Sequence, residues 1–205
     1  MGKYIKDKKL SRDFYTRELF TVAKELLGKK FVRLSNNNLL LSGKIVEVEA
    51  YDGSVDQAAH TFRGKTPRNE VMFRQGGYLY VYFTYGMYYC CNVVTGNENE
   101  GKAVLIRAIE PLEGIVQMAV NRFQKDFIND KELRNLANGP GKLCMAFGIT
   151  KEYNGTDLSG ERIFLLDQKK IPEENIISTT RIGITKSVEL PWRFYIKNNP
   201  YVSHR

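Results

Sequence analysis

Tyr78-Leu79-Tyr80-Val81-Tyr82-Phe83 alternates strictly between tyrosine and aliphatic or phenylalanine side chains. In a strand, a period of two puts the three tyrosines on one face and Leu79, Val81 and Phe83 on the other. Tyr85-Gly86-Met87 interrupts the run and residues 88–94 resume it, which predicts a hairpin with an aromatic tip. A hairpin commits the chain to antiparallel pairing. Lys30 to Leu34 and Leu39 to Ala50 read as two further strands. Asn36-Asn37-Asn38 joins them, and Asn tolerates the left-handed backbone of a tight turn. Ala103 to Ile109, Phe164 to Asp167, Arg181 to Thr185 and Trp192 to Ile196 complete the expected strands.

Helical spacing covers Ser11 to Leu27, with Leu19, Phe20, Ala23, Leu26 and Leu27 apolar and Gly28 as the stop. Pro111 opens an expected helix over Glu113 to Phe123, and Asn138-Gly139-Pro140-Gly141 turns into another over Lys142 to Phe147. Tyr51 to Gly77 is a long polar connection without periodicity, a feature that in compact domains is commonly functional or disordered. Hairpin-paired strands with helices grouped elsewhere predict an α+β fold. The expectation is a single domain over residues 1–205, a curved, open-barrel-like antiparallel sheet with helices packed around it. Residues 1–10 are expected to be a flexible basic N-terminus.

The 205 residues carry 31 Lys and Arg against 23 Asp and Glu, a net charge of +8. A fold needs no such excess. It points to a polyanionic partner, nucleic acid first and an anionic membrane surface second, unless it serves solubility alone. No apolar run reaches the roughly 18 residues needed to cross a bilayer. The opening Met1-Gly2-Lys3-Tyr4-Ile5-Lys6 has no apolar stretch behind its charges, so no secretory signal is expected. Cys90, Cys91 and Cys144 lack zinc spacing and read as reduced thiols, at least two of them buried, in a reducing, cytoplasmic compartment.

Ile45-Val46-Glu47-Val48-Glu49-Ala50-Tyr51 is the segment richest in chemistry. Alternation places Ile45, Glu47, Glu49 and Tyr51 on one face and Val46, Val48 and Ala50 on the other. Two carboxylates on one face suit water activation or a paired-carboxylate site, or else form a solvated sheet surface. A glycosidase of ordinary sugars also wants two carboxylates flanking one bond, but the net charge of +8 disfavours it. His60 is one of two histidines, the other being His204 at the C-terminal end. It can stack on a ligand, donate a hydrogen bond or simply pack.

Several residues suit contact with nucleic acid or another anion. Tyrosines concentrated in a basic chain suit stacking of unpaired bases. Most of them also read as core, but Tyr85, beside Gly86 at the hairpin tip, is hard to bury and suits a wedge in a base stack. Thr66-Pro67-Arg68-Asn69 is a rigid turn with donors for phosphate. Arg107 sits among apolar neighbours, and its structural alternative is an ion pair with Glu110 or another acid. Asn138 to Lys142 is a plain turn, or one that presents N–H groups to phosphate.

Taken together these segments resemble the alkyladenine (3-methyladenine) DNA glycosylase family. The carriers run in collinear order from Ala23-Lys24-Glu25-Leu26-Leu27-Gly28 through Ile45 to Tyr51, Asp56-Gln57-Ala58-Ala59-His60, Thr66 to Asn69 and Met72-Phe73. They continue through Tyr80 to Met87, Arg107 to Gly114, Asn138 to Leu143, Arg181-Ile182-Gly183-Ile184 and Trp192-Arg193-Phe194-Tyr195. The resemblance implies a monofunctional hydrolase that flips alkylated or deaminated purines from duplex DNA and cleaves the N-glycosidic bond. Its substrates would be of 3-methyladenine type, with hypoxanthine and ethenoadenine as further candidates.

By that resemblance Glu49 is the general base, and Arg107 with the Ile182 carbonyl holds the attacking water. Tyr51, His60 and Tyr82 line the base pocket, Asn92 disfavours guanine, and Tyr85 fills the gap in the helix. Thr66, Arg68, Asn69, Met87 and Lys142 would touch DNA. Position 182 has Ile where the family pattern has Val. A monomer acting on double-stranded DNA with damaged purines, away from membranes and without metal or other cofactor, is expected. The competing class is a non-catalytic nucleic-acid-binding module, which has no use for a carboxylate at position 49. A metal nuclease lacks the carboxylate and His cluster that two-metal cleavage needs.

Overall fold

The computed structural model describes residues 8–35 and 39–203. The expected Asn36–Asn38 turn, residues 1–7 of the basic tail and His204 lie outside the described residues. Helices α1 (Arg12–Tyr15) and α2 (Leu19–Leu26) lead into strands β1 (Lys30–Leu34) and β2 (Leu40–Asp52). The tyrosine hairpin is β3 (Tyr78–Thr84) and β4 (Tyr88–Thr95), followed by β5 (Lys102–Glu113). Helices α3 (Ile115–Phe123), α4 (Asp130–Asn135) and α5 (Pro140–Ala146) come next. The short strands β6 (Thr156–Asp157), β7 (Ile163–Leu166), β8 (Ile176–Thr179) and β9 (Arg193–Ile196) complete the described chain.

Among the described residues the nine strands form one open sheet in the order β6-β3-β4-β5-β2-β1-β7, with β9 on β2 and β8 on β9. Every pairing is antiparallel, as the hairpin pattern predicts. Strand β2 is the spine. It pairs with β5 along its length, and on its other side with β1 first and β9 later. Apolar residues of α2 (Val22, Leu26) and α5 (Leu143, Cys144) join Ile45, Val48, Ala50 and Ile106 in the main core. Each large side chain so buried contributes about 1.5–3 kcal/mol. All three cysteines are buried and free.

The structure corrects several boundaries. The helix expected over Ser11 to Leu27 is two, because the Glu18 carboxylate accepts from the N–H groups of Phe20 and Thr21 and starts α2 afresh. Gly28 follows that helix at φ +85°, as the stop requires. Pro111 does not open α3; it lies inside β5 opposite Gly43, beside a bulge where a missing N–H is tolerated. Gly114 makes that transition instead, at φ +77°, so close to Leu41 that no side chain would fit. Helix α5 begins inside the expected turn, with Pro140 at its first position. Residues 8–10 are not a free tail, since the Leu10 N–H donates to the Leu165 carbonyl and the Leu10 side chain is buried.

The largest correction concerns Arg181 to Thr185, which is not a strand. Gly183 takes φ +76°, which extended pairing excludes, and the Arg181 guanidinium and the Ile182 N–H turn inward while Thr185 stays exposed.

Candidate active site

Two offset bulges on β2 and β5 build the site. Ile45 pairs with Ile109 and Glu47 with Ala108, so Val46 is an extra residue that shifts the phase of β2. Ile45 therefore joins the core with Val48 and Ala50 rather than lying beside the carboxylates, which corrects the simple alternation. One step on, Val48 pairs with Ile106, which leaves Arg107 as the extra residue on β5. Its guanidinium reaches both acids, Nε at 3.1 Å from Glu47 Oε1 and Nη1 at 3.2 Å from Glu49 Oε1. Glu110, the partner considered from sequence, pairs instead with Lys44.

Both carboxylates are fully buried, which rules out a solvated face, but they sit differently. Glu49 lines a cavity of about 500 Å³ and Glu47 does not. Glu49 Oε2 accepts from the Tyr51 hydroxyl at 2.8 Å, and Oε1 accepts from the Ile182 N–H at 2.8 Å. Glu47 accepts from Arg107, from Arg193 Nε at 2.6 Å, and from Ser203 through its N–H and hydroxyl at 2.7 and 2.8 Å. Two carboxylates thus meet two guanidiniums, the arrangement that makes buried charge tolerable. Burial alone would lower the Arg107 pKa, but the adjacent Glu49 and Glu47 charges raise it.

The cavity wall is aromatic. Tyr80 and Tyr82 stack at 5.5 Å between centroids, and the His60 ring meets Tyr82 edge-on at 4.5 Å. His60 Nδ1 lies 3.1 Å from the Tyr80 hydroxyl. Burial raises the pKa of Tyr82, with Cys90 adding to it, and that of Tyr51, with Glu49 adding. Desolvation against the tyrosine wall first, then the Arg68 charge, lowers that of His60, although the residue is still partly exposed to solvent. The tyrosines are therefore neutral and the imidazole uncharged at neutral pH. Asn92 is buried in the wall, its Nδ2 donating to the Tyr80 carbonyl at 3.3 Å.

The loop carrying Ile182 is tethered by Arg181, whose guanidinium pairs with Asp56, both side chains fully buried. Arg181 also donates to the Ala50 carbonyl at 3.0 Å and stacks on the Tyr51 ring at 4.6 Å.

Glu49, Arg107, Tyr51, His60, Tyr82, Asn92, Ile182 and Tyr85 all line this one cavity. Tyr85 is 79% exposed at φ +51°, next to Gly86 at φ +65°, in a turn closed by the Met87 N–H on the Thr84 carbonyl. Met87 beside it is exposed. Sequence reasoning passed over Tyr80, Met72, Cys90 and Lys186, which also line the cavity. The period of two already put Tyr80 on the face of Tyr82; Lys186 carried no comparable signal.

The phosphate candidates divide. Thr66 and Arg68 are exposed, with Arg68 Nη2 3.5 Å from the Phe83 carbonyl near the hairpin tip. Asn69 is buried, and its side chain accepts from the Thr66 N–H and donates to the His60 and Gly64 carbonyls, so it shapes the loop beneath them. The Lys142 ammonium donates to the side-chain carbonyls of Asn135 and Asn138. Among the described residues no group of three or more His, Cys, Asp or Glu could hold a metal ion, and no helix is long and apolar enough to cross a membrane.

The sequence family described as methylpurine-DNA glycosylase (MPG) matches residues 13–200. The chain belongs to this family. Methylpurine-DNA glycosylases are hydrolases of N-glycosyl bonds, and this one has curated relatives of its own length. A "Putative 3-methyladenine DNA glycosylase" of Clostridium novyi (strain NT) is 48% identical over 204 residues, covering 97% of this chain and all of the relative. Proteins of the same name from Alkaliphilus oremlandii and Carboxydothermus hydrogenoformans are 46% and 49% identical, each over 96% of this chain and at least 99% of the relative.

Proposed function

We propose that this glycosylase everts an alkylated purine of 3-methyladenine type from duplex DNA and hydrolyses its N-glycosidic bond with a water activated by Glu49. The observation that carries this reading is a buried carboxylate facing a tyrosine-lined cavity, held by Arg107, the Tyr51 hydroxyl and the Ile182 N–H. Glu49 takes the water proton while the oxygen bonds to the sugar C1′. The C1′–N bond breaks and its electron pair quenches the positive charge of the alkylated base, which leaves neutral. No strong general acid is needed, because the base departs as a cation being neutralised. Hypoxanthine and ethenoadenine lack that advantage and would be slower substrates.

Binding follows from the same wall. Neutral tyrosine faces attract a cationic base, worth roughly 0.5–2 kcal/mol per ring. An uncharged His60 does not oppose it. That margin alone cannot reject the excess of normal purines, so ease of eversion adds selectivity. Asn92, anchored in the wall, disfavours guanine sterically. Tyr85 enters the stack as the base leaves it, with Met87, Thr66 and Arg68 against the backbone nearby. Each molecule acts as a monomer in the reducing cytoplasm, on the nucleoid. Incubation with duplexes bearing one defined lesion tests the reading: the expected result is free base and an abasic site with both strands intact. Strand scission without base release would contradict it.

A further inference from the structure

Glu47 does not line the cavity, yet its oxygens receive four hydrogen bonds, and the last two come from the far end of the chain. Three of these bonds reach Oε1 and the Ser203 N–H reaches Oε2. Arg107 is shared: its Nε is on Glu47 and its Nη1 on Glu49. A guanidinium is a rigid planar fork, so fixing Nε fixes the direction of every other N–H it carries. The orientation of Glu47 therefore sets how Arg107 meets Glu49. Ser203 in turn sets Glu47, its N–H on Oε2 and its hydroxyl on Oε1. The approach of this segment is itself guided, with Asn199 Nδ2 donating to Glu110 at 3.0 Å and the Tyr201 N–H to Asn199 Oδ1 at 2.9 Å.

We propose that Ser203 and Glu47 are positioning residues: the C-terminal segment folds back as a latch that locks Arg107 onto the general base. The inference rests on the assignment of Glu49 as that base. Without the Ser203 N–H, Arg107 and Arg193 still hold Glu47 Oε1, but Oε2 loses its bond and the carboxylate can pivot about Oε1; without the hydroxyl alone the hold is only loosened. Arg107 can then follow it and leave Glu49 and the water badly aimed. The loss falls on the chemical step, since neither Ser203 nor Glu47 lines the cavity.

A graded series at one position tests this. Ser203→Pro removes both donors, Ser203→Ala removes only the hydroxyl, and Ser203→Thr keeps both. Single-turnover base release, Kd for a lesion-bearing duplex and Tm are measured for each, at a temperature well below the lowest Tm. Release should fall about tenfold or more in Ser203→Pro and a few-fold in Ser203→Ala, with Ser203→Thr close to the parent and Kd within about twofold throughout, as expected when a reacting group is misplaced. Unchanged release in both Ser203→Pro and Ser203→Ala would overturn the latch, as would losses that track Kd or Tm instead of the chemical step. Glu49→Gln, run alongside, separates the two levels. If it is inactive while the Ser203 series is flat, the latch fails and the base assignment stands; if it retains full activity, the base assignment itself fails.

Discussion

The floor of the cavity and the tip of the β3–β4 hairpin solve opposite problems. At and beneath the floor each of the charged groups is paired: Glu49 is held by three groups, Glu47 by four bonds and Arg181 by a fully buried Asp56. At the tip Tyr85 is held by almost nothing, exposed and in a left-handed conformation that a tyrosine seldom adopts. Chemistry needs preorganised groups on rigid strands, whereas a wedge must be free to enter another molecule. Damage to the floor should therefore appear in stability and in the chemical step, and damage to the tip in binding.

The sharpest break is Asp56→Asn. It leaves the Arg181 guanidinium buried without its counter-charge, at a cost of about 3–5 kcal/mol. Urea unfolding should show that loss, with base release falling as the Ile182 loop slackens. A change under about 1 kcal/mol would mean that the tether is dispensable.

Tyr85→Ala comes next. Loss of one stacked ring should weaken lesion-duplex binding by about 1–3 kcal/mol and leave Tm unaltered. A lesion in a mismatch or a single strand should suffer less. Equal losses on paired and unpaired substrates would remove the wedge.

Smaller again is the phosphate term. Binding should weaken with salt at a log–log slope of about −0.9 per phosphate contact, and Arg68→Ala should flatten it by about one contact. An unchanged slope would take Arg68 off the backbone.

The smallest effect is His60. Its pKa in the folded chain lies below the ordinary value of about 6.5, so on acidification the unfolded chain takes up the proton first. Stability should be flat above about pH 6.5 and fall as pH drops from there towards the lower folded value. His60→Gln should remove that component of the slope.

How much of this was legible beforehand differs between the same two regions. The tip was nearly transparent, because a strict tyrosine alternation broken by Tyr85-Gly86 is a local signal. On the floor, the period of two correctly put Glu47 and Glu49 on one face. It could not say which one faces the cavity, since that depends on two bulges and on Ser203, 156 residues from Glu47. Arg181 to Thr185 misled for a related reason: Ile182 and Ile184 alternate like a strand, while Gly183 at positive φ and the Asp56 tether bind the segment into the site. Helix α4 was signalled but not read. Asn129 and Glu132 form a reciprocal cap visible as Asn-x-x-Glu.

The most direct measurement is single-turnover base release by Glu49→Gln on a duplex with one 3-methyladenine-type lesion, paired with its Kd for the same duplex. The amide keeps the shape of the carboxylate but cannot accept the water proton, so release should fall by about 10²–10⁴-fold with binding retained. Release at the parental rate would show that some other group activates the water.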